Sequence, residues 1–418
     1  MTQHKAEVML SPYRVLDLTD EKGLLCGKLL GDLGADVIKI EKPSGDPARN
    51  IGPFYHDEAD PEKSLSWFAF NTSKRGITLN IETVDGQEIF KKLVKTADFI
   101  IESFPPGYMD SLRLGYSDLE KLNPGVIMVS ITPFGQTGPY KDYKAPDIIA
   151  WAMGGEMYVS GNTDRPPLRV SYHSQAYLHA ATEAAIGAMA ALYYRHMTGE
   201  GQQVDISIQE CVTRVSHQGT TIPWDTNKVL PRRGLWLFPN APIKRWIWPC
   251  SDGHVVFGVS SGLFAERNNM PLIEWMKSEG VTVDFLEVFD WSTFSSETVN
   301  QETAERFEKT IIEFFMSHAK AELLDGAVKR RIMLYPVTTT ADIFQSVQLK
   351  AREYWVELEH SELSDTLTYP GAFAKALETP IRITRRAPLI GEHNQEVYEK
   401  ELGFLPDELI VLKQANVI

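Results

Sequence analysis

The first half of the chain alternates between short apolar runs and longer stretches with helical spacing. The runs are 14–18 (RVLDL), 36–41 (DVIKIE), 98–103 (DFIIES), 126–131 (VIMVSI) and 203–208 (QVDISI). Short segments rich in Val and Ile, without strict polar alternation, are those of strands buried on both faces. Between them, 23–33 (stopped by Gly34), 87–96 and 176–197 carry helical spacing, and a short helix bearing Leu119 and Leu122 ends at Asn123-Pro124-Gly125. Strands separated by helices predict a parallel sheet covered by helices on both faces. The stretch 176–197 is crowded with Ala180, Ala181, Ala184, Ala185, Gly187, Ala188, Ala190 and Ala191, which lets neighbouring elements approach closely.

The pattern changes after residue 222. Residues 223–248 are rich in Pro, Arg, Trp and Asn and read as an irregular connection. A smaller α/β region follows, with a helix over 302–318. The chain then returns through a turn at Tyr369-Pro370-Gly371 to a helical stretch over 394–402. The expected division is a large domain begun by 1–222, a linker over 223–248, a small domain over 249–343, and a return linker with the rest of the large domain over 344–418.

Composition narrows the classes. The 418 residues are 43% hydrophobic and 23% charged, as in an ordinary globular protein. A net charge of −14 argues against a nucleic-acid partner, which needs a basic face. The three cysteines, Cys26, Cys211 and Cys250, form no CxxC pair, so neither a zinc knuckle nor a disulfide framework is expected. Reduced thiols and a polar first dozen residues point to the cytoplasm, and no apolar run is long enough to predict a membrane span.

Common catalytic motifs are missing. Asp20-Glu21-Lys22-Gly23 occupies the turn after the first strand where a dinucleotide site would have its glycines. No Walker loop, HExxH or G-x-S-x-G elbow occurs. His179 and Glu183 share a helix face but have no third ligand, so they read as a polar pair and no metal is expected. Lys42, Arg49, Lys74 and Arg75 lie near the ends of early strands, where phosphates bind in open α/β sheets; each alone reads first as a solvated surface charge. The residues by themselves define an α/β protein, of enzyme type, that binds a small anionic ligand.

Several ordered motifs go further. They are Val15-Leu16-Asp17-Leu18-Thr19, the segment 30–41 (LGDLGADVIKIE), Asn71-Thr72-Ser73-Lys74-Arg75, Leu114-Gly115-Tyr116, Phe134-Gly135-Gln136-Thr137-Gly138-Pro139-Tyr140, Thr198-Gly199-Glu200-Gly201-Gln202 and Pro388-Leu389-Ile390-Gly391-Glu392-His393. In these the chain resembles the family III CoA-transferases. The resemblance implies a large doubly wound Rossmann-like domain made from both chain ends, a small inserted α/β domain, and two ring-like chains threaded into an interlocked dimer. It implies CoA lying on the large domain. It also implies an aspartate that attacks the acyl-CoA thioester, forming first a mixed anhydride and then an aspartyl-CoA thioester. Only a carboxylate can form that anhydride and be regenerated.

Counted back from Gly199, the family's aspartate falls on position 177, which is tyrosine, and no Asp or Glu occurs anywhere from 169 to 182. Glu183 is the nearest acid, deeper in the helix. A phenol with a pKa near ~10 stays neutral at pH 7, so Tyr177 reads as packing at a helix start. The usual Asn-Phe-Arg-Pro-Gly is Ser103-Phe104-Pro105-Pro106-Gly107, and Ser111 stands where an arginine is usual. Lys42, Lys74, Arg75 and Phe104 remain as CoA-binding candidates. Racemases of the same fold need the aspartate and a histidine near 148, and Ala145-Pro146-Asp147-Ile148 has none.

The resemblance therefore implies a non-catalytic subunit of a heteromeric CoA-transferase. A homologous partner would carry the aspartate in an interlocked heterodimer or heterotetramer. CoA would move between succinyl-CoA and an organic, aromatic dicarboxylic acid such as benzylsuccinate. The CoA thioester is then a substrate of the complex, and no cofactor is held tightly. Trp236, Trp246 and Trp248 read first as core or interface packing, with a part in shaping the substrate site as the alternative. The alternative is a catalytically inactive homodimer with a binding or regulatory role.

Overall fold

The structure, a computed structural model, describes residues 8–162, 164–171, 173–215, 232, 242–243, 245–288, 290–296 and 298–418. The chain divides into two compact units. One comprises Met1–Glu156, Arg169–Thr221 and Gln348–Ile418; the other comprises Met157–Leu168 and Ile222–Val347.

The first unit is built on six parallel strands: β1 (Arg14–Leu18), β2 (Asp36–Glu41), β3 (Lys74–Thr78), β4 (Phe99–Glu102), β5 (Ile127–Thr132) and β6 (Gln203–Ser207). Their order is β3-β2-β1-β4-β5-β6. Val15, Leu16, Ile38, Ile100, Ile101 and Val129 are fully buried, as their unbroken apolar runs require. The order reverses between β1 and β4. The crevice beyond their carboxyl ends is where open sheets of this kind bind ligands.

Helices that begin in this part of the chain include α1 (Leu24–Asp32), α2 (Leu65–Phe70), α3 (Val84–Val94), α4 (Tyr108–Ser111), α5 (Tyr116–Leu119), α6 (Asp147–Met153), α7 (Glu156–Val159), which runs on into the second unit, α8 (Gln175–Thr198) and α9 (Ile208–Val215). Helix α3 starts earlier than its apolar spacing predicts, because the Thr83 hydroxyl accepts the Gly86 amide at 3.0 Å and caps it. Helix α8 runs for 24 residues and buries Ala180, Ala181, Ala184, Ala188 and Ala191. These small side chains bring it against α1, α6, α9, β5 and β6. It ends at Gly199, whose φ of 82° favours glycine. A hairpin of β10 (Trp355–His360) and β11 (Asp365–Pro370) also belongs to this unit. Its reversal falls before Asp365, so the turn expected at 369–371 is instead the end of a strand.

Strand β3 was not foreseen, because its sequence opens on two charges, Lys74 and Arg75. The structure corrects the expectation that these would meet phosphates. Lys74 is fully buried, and its ammonium donates to Asp17 Oδ2 at 2.7 Å, the Leu24 carbonyl at 2.8 Å and Asn71 Oδ1 at 2.9 Å. All three of its N–H groups are thereby used. Helix α1 lies close over this pair, so that a Cβ on Gly27 would collide with Asp17 Oδ2. Arg75 is buried too, forking onto Asp36 at 2.9 and 2.6 Å and reaching Glu396 and Glu401 at 2.9 and 2.5 Å. Arg49 clamps Glu41 at 2.6 and 2.8 Å beneath the carboxyl end of β2.

The second unit carries a three-stranded antiparallel sheet of β7 (Ile247–Cys250), β8 (Gly253–Phe257) and β9 (Leu334–Pro336), in that order, with helices Leu263–Ser278, Gln301–Met316 and Lys320–Arg330. Trp248 is part of its core with Phe257, Phe307, Phe314 and Phe315, and its indole N–H donates to the Phe257 carbonyl at 2.7 Å. Trp248 is therefore core packing and does not shape a substrate. Trp236 and most of 223–248 lie outside the described residues.

Replacing Lys74 by Met leaves the Asp17 carboxylate buried without its ion-pair partner, with Lys39, itself held by Asp46, as the remaining positive charge acting on it. This is expected to cost about 3–5 kcal/mol in urea unfolding, most of it recovered when Asp17→Asn is added.

Candidate functional site

The crevice at the strand reversal is closed by short polar contacts. Ser103, just past β4, donates its hydroxyl to Asp20 Oδ1 at 2.8 Å and accepts the Asp20 amide at 2.9 Å. Lys22 pairs with the same aspartate. A cavity of about 280 Å³ opens here, lined by Lys42, Asp46, Ser103, Phe104 and Tyr108 among others. The rings of Phe104 and Tyr108 lie 4.6 Å apart. Lys42 is exposed and reaches Glu82 at 2.9 Å, and the Tyr108 hydroxyl donates to the same carboxylate at 2.7 Å. Of the four residues singled out from the sequence, then, the fold brings Lys42 and Phe104 to one cavity and takes Lys74 and Arg75 away.

A second cavity of about 280 Å³ shares Ser103 and Phe104 with the first and adds Lys22, Lys141, Lys144 and Tyr177. A third, also about 280 Å³, shares Tyr177 and runs along Leu24, Leu25, Ile51, Trp67 and Phe70. The three form a chain of adjoining hollows, with the Tyr177 ring as the wall between the second and third. Lys141 and Lys144 were not read from the sequence as ligand residues. They sit in the loop before α6, which only the fold carries to the crevice.

Tyr177 stands in the first turn of α8 and is 4% exposed. Its hydroxyl faces the Ala145 carbonyl at 3.5 Å. Burial, then the negative charges of Glu21, Asp147 and Asp20, raise its phenol above the ordinary value, so it is neutral at pH 7. The Tyr177 amide donates to Asp147 Oδ1 at 3.3 Å, while Asp147 Oδ2 lies 3.4 Å from Arg169 Nη2. Ser174, the residue before the helix, gives no side-chain cap. Asp147 supplies it from α6, satisfying N–H groups that a helix start leaves without partners.

No local pattern marks Asp147 as a partner of α8, since it is distant in the chain and meets that helix only in the fold. It is 6% exposed and lines none of these cavities. Burial raises its carboxyl despite the bonds from Tyr177, Arg169 and Ala176. The arrangement makes it a helix cap, without an open face for a substrate carbonyl.

Glu183 points elsewhere and pairs with Arg214. His179 stacks on Trp151 with ring centres 5.8 Å apart, so the two do not form a metal pair. Among the described residues no cluster of His, Cys, Asp and Glu could hold a metal ion. Nor is any helix among them long and apolar enough to cross a membrane.

Glu102, at the end of β4, is the other carboxyl of note. It is 3% exposed, accepts the Phe104 amide at 2.7 Å, and lines a polar cavity of about 370 Å³ with Ser130, Gln136 and Gln203. Burial raises its carboxyl to about 7.

A doubly wound sheet with an elongated ligand crevice at its reversal, ending at a residue on the first turn of a long helix, defines the class. Residues 10–394 match the model of CoA-transferase family III, and the chain belongs to that family. It is 33% identical over 93% of its length, and 93% of the other chain, to the succinyl-CoA:(R)-benzylsuccinate CoA-transferase subunit BbsE of Thauera aromatica. It is 29% identical, over 98% of each chain, to the succinyl-CoA–L-malate CoA-transferase beta subunit of Chloroflexus aurantiacus. Among solved structures, a CAIB/BAIF family protein from Brucella suis superposes with a TM-score of 0.81 at 27% identity, covering 93% of this chain and 98% of that one.

The raised carboxyl of Glu102 predicts a pH dependence. Its contribution to stability is fully present below the ordinary Glu value of 4.5 and is lost as pH rises to about 7, because the unfolded chain ionises first. Chemical denaturation across that range should show the decline, and Glu102→Gln should flatten it.

Proposed function

We propose that this chain is the non-catalytic subunit of a heteromeric family III CoA-transferase. In this reading the enzyme moves CoA between succinyl-CoA and an organic acid with a hydrocarbon body, such as benzylsuccinate. The observation that carries it is Tyr177: a buried, neutral phenol where the family's chemistry needs a carboxylate. That this chain is similar to proteins named as subunits supports a partner. The partner is a related chain bearing the aspartate, interlocked with this one in the cytoplasm. Its carboxylate attacks the thioester carbonyl and expels CoA as thiolate. The thiolate then attacks the resulting anhydride at the aspartyl carbonyl, releasing the free acid. The acceptor carboxylate reverses the sequence.

On this chain, Lys141 and Lys144 offer positive charge along the crevice, while Lys42 is paired with Glu82 and Lys22 with Asp20. The Ser103 hydroxyl is committed to Asp20, and Ser111 bonds the Tyr108 carbonyl at 2.7 Å. With no guanidinium at 105 or 111, the site lacks strong phosphate donors. Each lost charged hydrogen bond costs about 1.5–3 kcal/mol. Calorimetry on the isolated chain should therefore show CoA binding weaker than micromolar.

A second reading, an active enzyme using Asp147, is favoured by the position of that carboxylate beside Tyr177. Its burial and its role as a helix cap count against it. The test is turnover. The purified chain with succinyl-CoA and benzylsuccinate should transfer no CoA, and a related chain should co-purify with it in equal amount from its native source. Turnover by the pure chain that disappears in Asp147→Asn would establish the second reading. A stable homodimer that ignores any related chain would point to a regulatory protein.

A further inference from the structure

We infer that the cavity on the α1–α2 side of Tyr177 binds the hydrocarbon body of a carboxylic acid, with the acid's carboxylate on Arg169 and Ser174, and holds it without reacting. This rests on the reading that Tyr177 leaves the site unreactive.

The walls of the cavity divide by chemistry. Those from the first half of the chain are mainly apolar, Leu24 and Leu25 of α1, Ile51, and Trp67 and Phe70 of α2, with Glu21 and Ser66 as the polar exceptions. The segment before α8 supplies polar groups, Arg169, His173 and Ser174. A volume of about 280 Å³ lies at the small end of ligand sites. Apolar walls with a few converging polar groups select a ligand of the same division, with the rings and methylenes buried and one charged end bound. A short polar diacid such as succinate would leave those walls wet.

Arg169 is the anion-binding group. Its side chain is 39% exposed and its ion pair to Asp147 is long at 3.4 Å. A guanidinium has five N–H donors in a planar fork suited to a carboxylate, and this contact uses one. Trp67 forms a rigid floor, its indole N–H on the Pro388 carbonyl at 3.1 Å and the Arg49 guanidinium stacked 3.8 Å from its ring centre. Opposite stands Tyr177, whose neutral phenol neither repels the carboxylate nor attacks it.

Glu21 also lines the cavity and opposes an anion. Its carboxyl is raised by burial, then by Asp20, with Lys22 countering and Asp147 and Asp46 adding to the negative field. Binding of an acid is thus expected to strengthen as pH falls and Glu21 takes up a proton. This sign is opposite to that for a cationic ligand.

Calorimetry tests this on the chain, or on its complex with whichever related subunit co-purifies, with benzylsuccinate, succinate and CoA as probes. Benzylsuccinate should bind at least about tenfold more tightly than succinate. Ile51→Trp, which fills the cavity, and Arg169→Gln, at a partly exposed position, should each weaken benzylsuccinate about tenfold. Glu21→Gln should strengthen it, and CoA should not compete. Equal affinity for the two acids would overturn the inference. So would benzylsuccinate binding that survives both Ile51→Trp and Arg169→Gln in folded protein. CoA transfer by the pure chain would overturn the function proposed above while leaving the binding result standing.

Discussion

The start of α8 is the constraint on which the site depends. A helix of 24 residues whose first turn is packed inside a domain has several amide N–H groups and no carbonyls to receive them. Here the Asp147 carboxylate receives them from α6. That bond fixes the backbone of the first turn, and so the point from which Tyr177 projects. The alanines along the rest of α8 let it lie against α1, α6, β5 and β6, so the position of its first turn is inherited from the whole unit. A carboxylate in that first turn would meet the same positive helix end, the environment that favours an ionised nucleophile. With tyrosine there, Asp147 is the carboxyl that meets this helix end, and it is turned inward.

Charge inside the sheet follows the same logic. Asp17, Lys74, Glu41 and Arg49 are buried, yet each is met by an opposite charge at hydrogen-bonding distance. Such pairs are expensive to bury and more expensive to break, which makes them effective in holding neighbouring strands and helices in one register. They also set the chemistry of the surface. Cations drawn inward are not available to phosphates, and the crevice is left to Lys141 and Lys144, with Lys42 already on Glu82 and Lys22 on Asp20.

Much of the fold was legible because its signals are local. Strand β2 has the bounds its apolar run predicts, and α8 lies within one residue of its predicted ends, since DVIKIE and the alanine-rich stretch each have a single sensible reading. Strand β3 was not legible, because KRGIT hides two charges that are satisfied only by Asp17, Asp36, Glu396 and Glu401, from elsewhere in the chain. The same non-local pairing made Lys74 and Arg75 look like ligand residues. Tyr177 was found by spacing from Gly199 through one unbroken helix. Asp147 and the two lysines of the preceding loop reach the site only through tertiary packing, and no local pattern marks them. Trp248 reads from composition as core or interface packing, and its core role is set by Phe257 and Phe315 around it.

The central claim, that the reacting carboxylate is absent from this chain, is tested most directly by trapping the covalent intermediate. The complex, incubated with succinyl-CoA alone and quenched in acid, should yield an aspartyl-CoA adduct on a peptide of the partner chain by mass spectrometry. Every peptide of this chain, including those bearing Tyr177, Asp147 and Glu183, should be unmodified. A CoA or succinyl adduct on any residue of this chain, formed at the rate of turnover, would contradict the account.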